Sequence, residues 1–349
     1  MSDFHSLKVS QIKKDTANAV VVTFEIPANL KSEFNFTAGQ YITIKHMVDG
    51  KEVRRAYSIC TAPSNTSFSV GIKKVVDGSF SVFANDSLKE GDVLEVMLPQ
   101  GKFILQPDAK NTHNYAAFAA GSGITPVLSI ITAALNEEPQ STFLLVYGNQ
   151  TKEDAMFYDE LSKLKQDFSG RFFLENIYSR SREDGARFGR IDRGIVNYYI
   201  KNQFKDTIFD AFYLCGPEPM IDAVSSTLKE NGTNEKIIHF ELFTSSEEGL
   251  LVNNHEGNTT VTILLDDEEK TFVMPQNKSI LEAALENDLD APYSCQGGIC
   301  STCIARITKG KAEMGKNQIL TDSEIADGFI LTCQAHPTTA EVFVDYDDV

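Results

Sequence analysis

The sequence predicts a multidomain chain: an antiparallel β-barrel, then an α/β domain built on a doubly wound parallel sheet, then a small α+β domain. Three observations lead there. Short β-branched runs separated by Gly, Pro, Asn and Asp fill residues 1–108, with little helix between them. From 109 to 243 apolar runs alternate with helical stretches, the order that builds a parallel sheet. After a polar stretch at 244–258, read as a linker, strands and one helix flank a group of cysteines across 259–349.

The bulk properties bound the answer. A chain of 349 residues, 42% hydrophobic and 23% charged, has room for two or three domains with cores of their own. It holds no apolar run of about eighteen residues, and its first residues lack the apolar centre of a signal peptide, so a cytoplasmic location is expected. Six cysteines are too few for a disulfide framework. A net charge of −17 argues against nucleic acid and anionic membrane as partners. The charge is uneven: residues 259–349 hold 16 Asp/Glu against 6 Lys/Arg. Such a surface either steers toward a basic patch on another protein or is simply solvated.

In the barrel, strands are expected at Ala19–Ile26, Gln40–His46, Ser67–Val75 and Asp92–Met97, with a brief helix at Phe83–Lys89. Two places carry possible chemistry. In Arg55-Ala56-Tyr57-Ser58 the arginine suits a phosphate, the tyrosine a planar ring and the serine a ring nitrogen. In Gly78-Ser79-Phe80-Ser81, N–H groups at a helix start and a hydroxyl suit a pyrophosphate. Either tetrapeptide alone also describes an ordinary strand end or turn.

The middle domain reads as strands Tyr115–Ala120, Phe143–Tyr147, Phe172–Tyr178, Ala211–Leu214 and Lys236–Leu242. Helices Pro126–Leu135, Ala155–Leu164, Gly194–Asn202 and Pro219–Glu230 lie between them. Ligands of such sheets sit at the C-terminal strand ends. There the first strand runs into Gly121-Ser-Gly123-Ile-Thr125-Pro126, whose glycines let backbone approach a phosphate and whose proline suits a helix start.

The last domain is organised around Cys295, Cys300 and Cys303, with Cys333 following later. C-x4-C-x2-C plus a distant cysteine is the plant-type [2Fe–2S] spacing. Gly297 and Gly298 permit a sharp loop, and Ser301 and Thr302 are small. Structural zinc sites usually pair two C-x2-C knuckles, and only one is present; buried free thiols are the other alternative. A hairpin of Thr259–Leu265 and Lys270–Met274 precedes the loop. So does a helix Ile280–Asn287, capped by Ser279 with Glu282 as its capping-box acid. Strands Ile304–Thr308 and Glu341–Tyr346 follow. His336 reads as a surface residue, since four cysteines complete the site.

Taken together these motifs resemble known families. Arg55-Ala-Tyr57-Ser58 and Gly78-Ser-Phe-Ser81, with Gly39-Gln-Tyr41 and Pro99-Gln-Gly101-Lys-Phe103, resemble the flavin domain of the ferredoxin–NADP⁺ reductase superfamily. Cys215-Gly216-Pro217-Glu-Pro-Met220 and His239-Phe-Glu241-Leu-Phe243 resemble its nicotinamide domain, as does the loop ending in Pro126. The element order after 259, with Leu331-Thr-Cys333-Gln-Ala335, resembles the β-grasp of plant-type ferredoxins.

The resemblance implies FAD held by residues 55–58 and 78–81. Arg55 and Ser81 would lie on the pyrophosphate, Tyr57 on the isoalloxazine and Ser58 near N5, with Gly71, Ile72 and Lys73 along the ribityl and phosphate chain. It implies Cys215, with Gly216 and Pro217, beside the nicotinamide C4. Glu241 and Phe243 would line the flavin face where that ring enters. The [2Fe–2S] ligands would be Cys295, Cys300, Cys303 and Cys333. Tyr57, Ser58, Cys215 and Glu241 would be the catalytic set. Ser179, Arg180 and Arg190, in a loop that also carries Arg182 and Arg187, favour the 2′-phosphate of NADPH, with NADH as the alternative.

Electrons would run from NADPH to FAD to [2Fe–2S] to a partner oxygenase. Tyr57-Ser-Ile-Cys-Thr61, residues 239–243 and Gly189-Arg-Ile-Asp192 resemble the reductase components of phenylacetyl-CoA epoxidases, multicomponent di-iron monooxygenases. The alternatives are a reductase of a Rieske or steroid-hydroxylating oxygenase, and a non-catalytic redox-sensing or zinc-binding protein. Electron-transfer subunits of dihydroorotate dehydrogenase share the domain order, but the 29 residues between Cys303 and Cys333 exceed their spacing.

Overall fold

In the computed structural model, which describes residues 4–48, 50–65, 67–243 and 257–349, most of the expected linker lies outside the described residues. The chain divides into two compact units. One comprises residues 5–53 and 57–243; the other centres on the described residues 257–349 and includes Phe4 and residues 54–56.

Alternation shapes the first sheet. In β2 (Ala19–Glu25), Val20, Val22 and Phe24 turn inward while Val21 and Thr23 are only half-covered. With β1 (Phe4–Thr16), β3 (Tyr41–Val48), β4 (Lys51–Ser58), β5 (Phe68–Lys73) and β6 (Val93–Met97) it forms a six-stranded sheet in the order β4-β3-β6-β1-β2-β5. A bridge from Ile59 to Val70 joins the chain just past β4 to β5 and closes the barrel. Helix α1 (Ser79–Asp86) starts directly after Gly78, four residues earlier than expected, because Phe80 and Ala84 supply its buried face. The long strand β1 was not expected: its polar residues alternate with few apolar ones, and only Leu7 and Val9 are buried.

The second sheet is parallel, in the order β10-β9-β8-β7-β11-β12. Its strands are β7 (Asn114–Ala120), β8 (Thr142–Asn149), β9 (Phe172–Tyr178), β10 (Arg187–Phe188), β11 (Ala211–Cys215) and β12 (Ile238–Glu241). Helices α2 (Ile124–Glu137), α3 (Tyr158–Asp167), α4 (Arg193–Asn197) and α5 (Glu218–Glu230) connect them. The chain order reverses between β7 and β11, so their C-terminal ends flank the switch point where such sheets bind ligands.

Boundaries in this domain also differ from expectation. Helix α3 starts at Tyr158 rather than Ala155: Phe157 adopts φ 58° and its N–H donates to the Asp15 carboxylate, 3.0 Å away. Helix α4 runs on as a π-helical turn, Tyr198–Gln203. The last strand is shortened by a 3₁₀ turn at Glu235–Ile237, whose N-cap is Asn234. Barrel and parallel sheet share one core, in which Ala38, Cys60, Phe103 and Leu105 pack with Val127, Ile130 and Ile131 of α2.

In the remaining unit, β13 (Asn258–Leu265), β14 (Glu268–Pro275), β15 (Ile304–Lys309), β17 (Phe329–Leu331) and β19 (Glu341–Asp345) form a sheet in the order β14-β13-β19-β15-β17. Strands β16 (Ala312–Met314) and β18 (Ala335–Pro337) pair separately. The parallel pair β13–β19 at the centre, with α6 (Ile280–Glu286) buried through Ile280, Leu281, Ala283 and Ala284, is the β-grasp arrangement. Ser279 accepts from the Glu282 N–H as expected, but the Glu282 carboxylate lies toward Lys278, 3.9 Å away. The reciprocal capping box is instead at Thr321 and Glu324, starting α7 (Asp322–Ala326). Among the described residues, no helix is long and apolar enough to cross a membrane.

Candidate active site and cluster loop

Register assembles the first site. Strands β11 and β12 pair so that Cys215 stands beside Glu241, and β11 pairs with β7 so that Cys215 also stands beside Ala119, just before the glycine loop. Ser58, at the end of β4, reaches across: its Oγ donates to Glu241 Oε2 at 3.0 Å. Ser58, Cys215 and Glu241 are all buried. Burial, with the Glu241 charge added, pushes the Cys215 thiol well above its ordinary pKa, so it stays protonated. Phe243 is 37% exposed two residues beyond Glu241, and Tyr57 is half-buried, its ring centroid 5.6 Å from that of Phe80. Hydroxyl, carboxylate and thiol thus converge at the switch point.

The loop beside them is drawn in tightly. A Cβ on Gly123 would stand 2.1 Å from the Cys215 carbonyl oxygen, so only glycine allows this approach. Gly121 has φ 56°, and the hydroxyl of Tyr147 donates to its carbonyl at 3.0 Å. Tyr147 ends an expected strand, and nothing in its sequence neighbours marks the hydroxyl. Thr125 is buried and gives its hydroxyl proton to the Ser122 carbonyl. Helix α2 begins at Ile124, two residues before Pro126, and no side chain caps its N-terminus. A 3₁₀ turn at Gly121–Gly123 leads into it, and the Ile124 N–H is taken by the Gly121 and Ser122 carbonyls, so an anion at this end would meet the backbone of that turn. Gly216 packs close to Ala120, and Pro217 is the N-cap of α5.

The barrel motifs separate into groups. Ser81 is buried, and its Oγ accepts from the Val75 N–H at 3.2 Å, leaving its proton for another acceptor. No side chain caps α1 at Gly78 and Ser79, a second N-terminus suited to phosphate. Phe80 and Ile72 turn into the barrel core, so any contact they make with a cofactor is through backbone. The face of Gly71 is filled by protein: a Cβ there would lie 2.8 Å from Thr125 Cγ2 and 3.0 Å from Phe157 Cζ. Lys73 sends its ammonium to the glycine loop, 3.6 Å from where a Cβ on Gly121 would stand. Arg55 is exposed and Ala56 half-buried on β4; one Arg55 nitrogen donates to the Arg54 carbonyl at 2.8 Å.

After β9, the Ser179 and Arg180 N–H groups donate to Asn149 and Gln150 carbonyls, which fixes the loop. Its arginines differ. Arg182 lies over the Phe188 ring and Arg187 over Tyr198, while Arg180 and Arg190 are exposed.

The cysteine loop has its own logic. Gln296 and Gly298 take positive φ, and a Cβ on Gly298 would meet the Lys316 carbonyl at 2.6 Å. The Gln334 amide holds the loop from across, donating to the Gln296 carbonyl at 3.0 Å. Cys300, Cys303 and Cys333 are buried and Cys295 half-buried; all four are free thiols. They influence one another in two pairs: Cys300 acts most strongly on the Cys295 thiol, and Cys333 on the Cys303 thiol. The Cys300 contact, helped by the N–H groups of Gly297 and Ile299, draws the Cys295 thiol down to about 7. Gly297 N lies 3.3 Å from that sulfur. Among the described residues no three His, Cys, Asp or Glu side chains are set to hold a single metal ion. Two sulfur pairs with backbone N–H groups aimed at them fit a two-iron cluster. His336 is half-buried, its Nδ1 3.3 Å from the Gln276 carbonyl.

Three family descriptions match the chain: an oxidoreductase FAD-binding domain over residues 6–104, an oxidoreductase NAD-binding domain over 118–226 and a 2Fe-2S iron-sulfur cluster binding domain over 263–338. Together with the sites above they define an NAD(P)H-dependent electron-transfer oxidoreductase whose cofactors are FAD and a [2Fe–2S] cluster. The chain is 39% identical to one of the subunits of the 1,2-phenylacetyl-CoA epoxidase of Escherichia coli (strain K12), over 99% of each chain. It is 30% identical to the ferredoxin reductase component of 3-ketosteroid-9-alpha-monooxygenase of Rhodococcus rhodochrous, over 97% of this chain and 96% of that one. Phthalate dioxygenase reductase has the same fold, with a TM-score of 0.61 over 98% of both chains at 24% identity. The chain belongs to the ferredoxin–NADP⁺ reductase superfamily.

Proposed function

We propose that this protein is the NADPH-dependent reductase of a phenylacetyl-CoA epoxidase, passing electrons to its oxygenase component in the cytoplasm. The observation that carries the partner is the 39% identity to a chain of that epoxidase, which spans 99% of both sequences. When bound, the nicotinamide supplies a hydride, FAD divides the electron pair, and the [2Fe–2S] cluster carries single electrons. The chain's own residues hold these groups in register. Arg55, Ser81 and the free N-terminus of α1 would bind the flavin pyrophosphate, and Tyr57 would cover the ring. The Ser58 hydroxyl gives its proton to Glu241 and would turn its lone pairs toward the flavin N5 edge, ready to accept from an N–H there. The neutral Cys215 thiol offers an uncharged surface to the nicotinamide, and Phe243 shields the same face. Gly121 to Pro126 and the ammonium of Lys73 would take the dinucleotide phosphates. Cys295 with Cys300 would ligate one iron and Cys303 with Cys333 the other. Turnover of phenylacetyl-CoA by the matching oxygenase, supported by this reductase and NADPH, tests the partner. Turnover only with a steroid or Rieske oxygenase would replace it.

The preference for NADPH rests on Arg180 and Arg190: all four arginines of the loop are exposed, and the other two, Arg182 and Arg187, lie over aromatic rings. Replacing Arg180 with Ala is expected to raise the KM for NADPH by the equivalent of about 1–3 kcal/mol, roughly 5- to 150-fold, with NADH unaffected. Steady-state kinetics with both cofactors measures this. Equal loss with both means that the 2′-phosphate is held elsewhere.

A further inference from the structure

A cleft of about 460 Å³ opens between the barrel and helices α2 and α3, and Tyr57, Ser58, Cys215 and Glu241 take no part in its walls. Its size is that of a small-molecule site, and domain junctions are where such sites gather. Cys60, Leu128 and Phe157 form a buried apolar floor. Val21, Leu164 and Phe168 form the sides; they pack on the main core yet remain partly uncovered. The core is therefore left open at this point, with Phe157 and Phe168 both in its lining and Arg171 lying over the Phe168 ring.

Charge at the mouth is balanced. Lys13 pairs with Glu160, and Lys163 and Asp167 lie four residues apart on α3. The floor carries no charge either: the Cys60 thiol donates to the Ser69 carbonyl at 3.2 Å, and burial pushes its pKa up to about 12. An anion or cation entering here would lose hydration and find no net opposite charge. Thr61, Asn65, Ser69, Thr132 and Asn136 are the uncharged polar residues of the lining, and Thr132 stands on α2 one turn from Leu128. Its hydroxyl proton goes to the Leu128 carbonyl at 2.8 Å, so it presents lone pairs and calls for a donor.

We propose that this cleft binds an uncharged aromatic molecule, of phenol to indole size, that carries one O–H or N–H donor. Its flat body would lie between Phe157, Phe168 and Leu128, with the donor on Thr132. The site is separate from the electron path, and it stands whether the partner is an epoxidase or another oxygenase.

Titration calorimetry on the full chain, loaded with flavin and cluster, tests this with indole and with benzoate as charged control. Saturable 1:1 binding of indole with a Kd below about 1 mM is expected, and benzoate at least about tenfold weaker. Thr132→Phe and Leu164→Phe fill the cleft from opposite walls, and each should weaken indole binding by about tenfold or more. Flavin absorbance and NADPH–ferricyanide turnover should be unchanged in both, which shows that they are folded. Absence of saturable indole binding overturns the site. So does undiminished binding in both filled variants. Benzoate binding as tightly as indole overturns the ligand class.

Discussion

Replacing Cys300 with Ser is expected to abolish reduction of one-electron acceptors that draw on the iron–sulfur centre, while NADPH–ferricyanide turnover continues near its full rate. The reason is the pairing of sulfurs. Cys300 is the buried partner of Cys295, and its contact is the largest influence drawing the Cys295 thiol down. An iron between those two residues would lose one of its two protein ligands. None of the four cysteines lies in the unit of residues 5–53 and 57–243, which carries Tyr57, Ser58, residues 78–81 and the nicotinamide motifs. Cytochrome c reduction against ferricyanide reduction, with iron and sulfide content, measures the split. If both activities vanish together, the two units do not divide the work in this way.

Replacing Ser58 with Ala should slow flavin reduction by NADPH by about 10²-fold while FAD remains bound. The hydroxyl is the donor that holds Glu241 Oε2 at 3.0 Å in a buried setting. Without it the carboxylate loses that donor, and its position beside Cys215 is no longer fixed from the barrel side. Ser58→Thr keeps the hydroxyl and should recover a large part of the rate. Stopped-flow bleaching of the flavin isolates this step from later transfer. A rate unchanged in the alanine variant would remove Ser58 from the reaction.

Much of this fold was legible because its signals are local. β-Branched runs, glycine loops at strand ends and cysteine spacing each depend on a few neighbouring residues. The meeting of Ser58, Cys215 and Glu241 was legible only through family resemblance, since strand register and the fit of barrel to sheet bring them together from three distant segments. Where the reading went astray, a long-range contact decided. The sequence predicts helix α3 three residues early, yet Asp15 of the barrel takes the Phe157 N–H and fixes a left-handed start. At Gly71 a long-range fit is hidden from its neighbours in the chain: Thr125, Met156 and Phe157 lie where a side chain would stand. Tyr147 holds the glycine loop by a hydroxyl whose partner lies 26 residues away in sequence.

The central claim is that electrons enter at a nicotinamide, divide at a flavin and leave through iron held on Cys295, Cys300, Cys303 and Cys333. Anaerobic titration of the purified chain with NADPH, followed by visible absorbance and electron paramagnetic resonance, tests it most directly. Bleaching of the flavin bands accompanied by a rhombic [2Fe–2S] signal of close to one spin per chain is the expected result. A chain whose flavin bleaches but which contains no iron and yields no rhombic signal would contradict it.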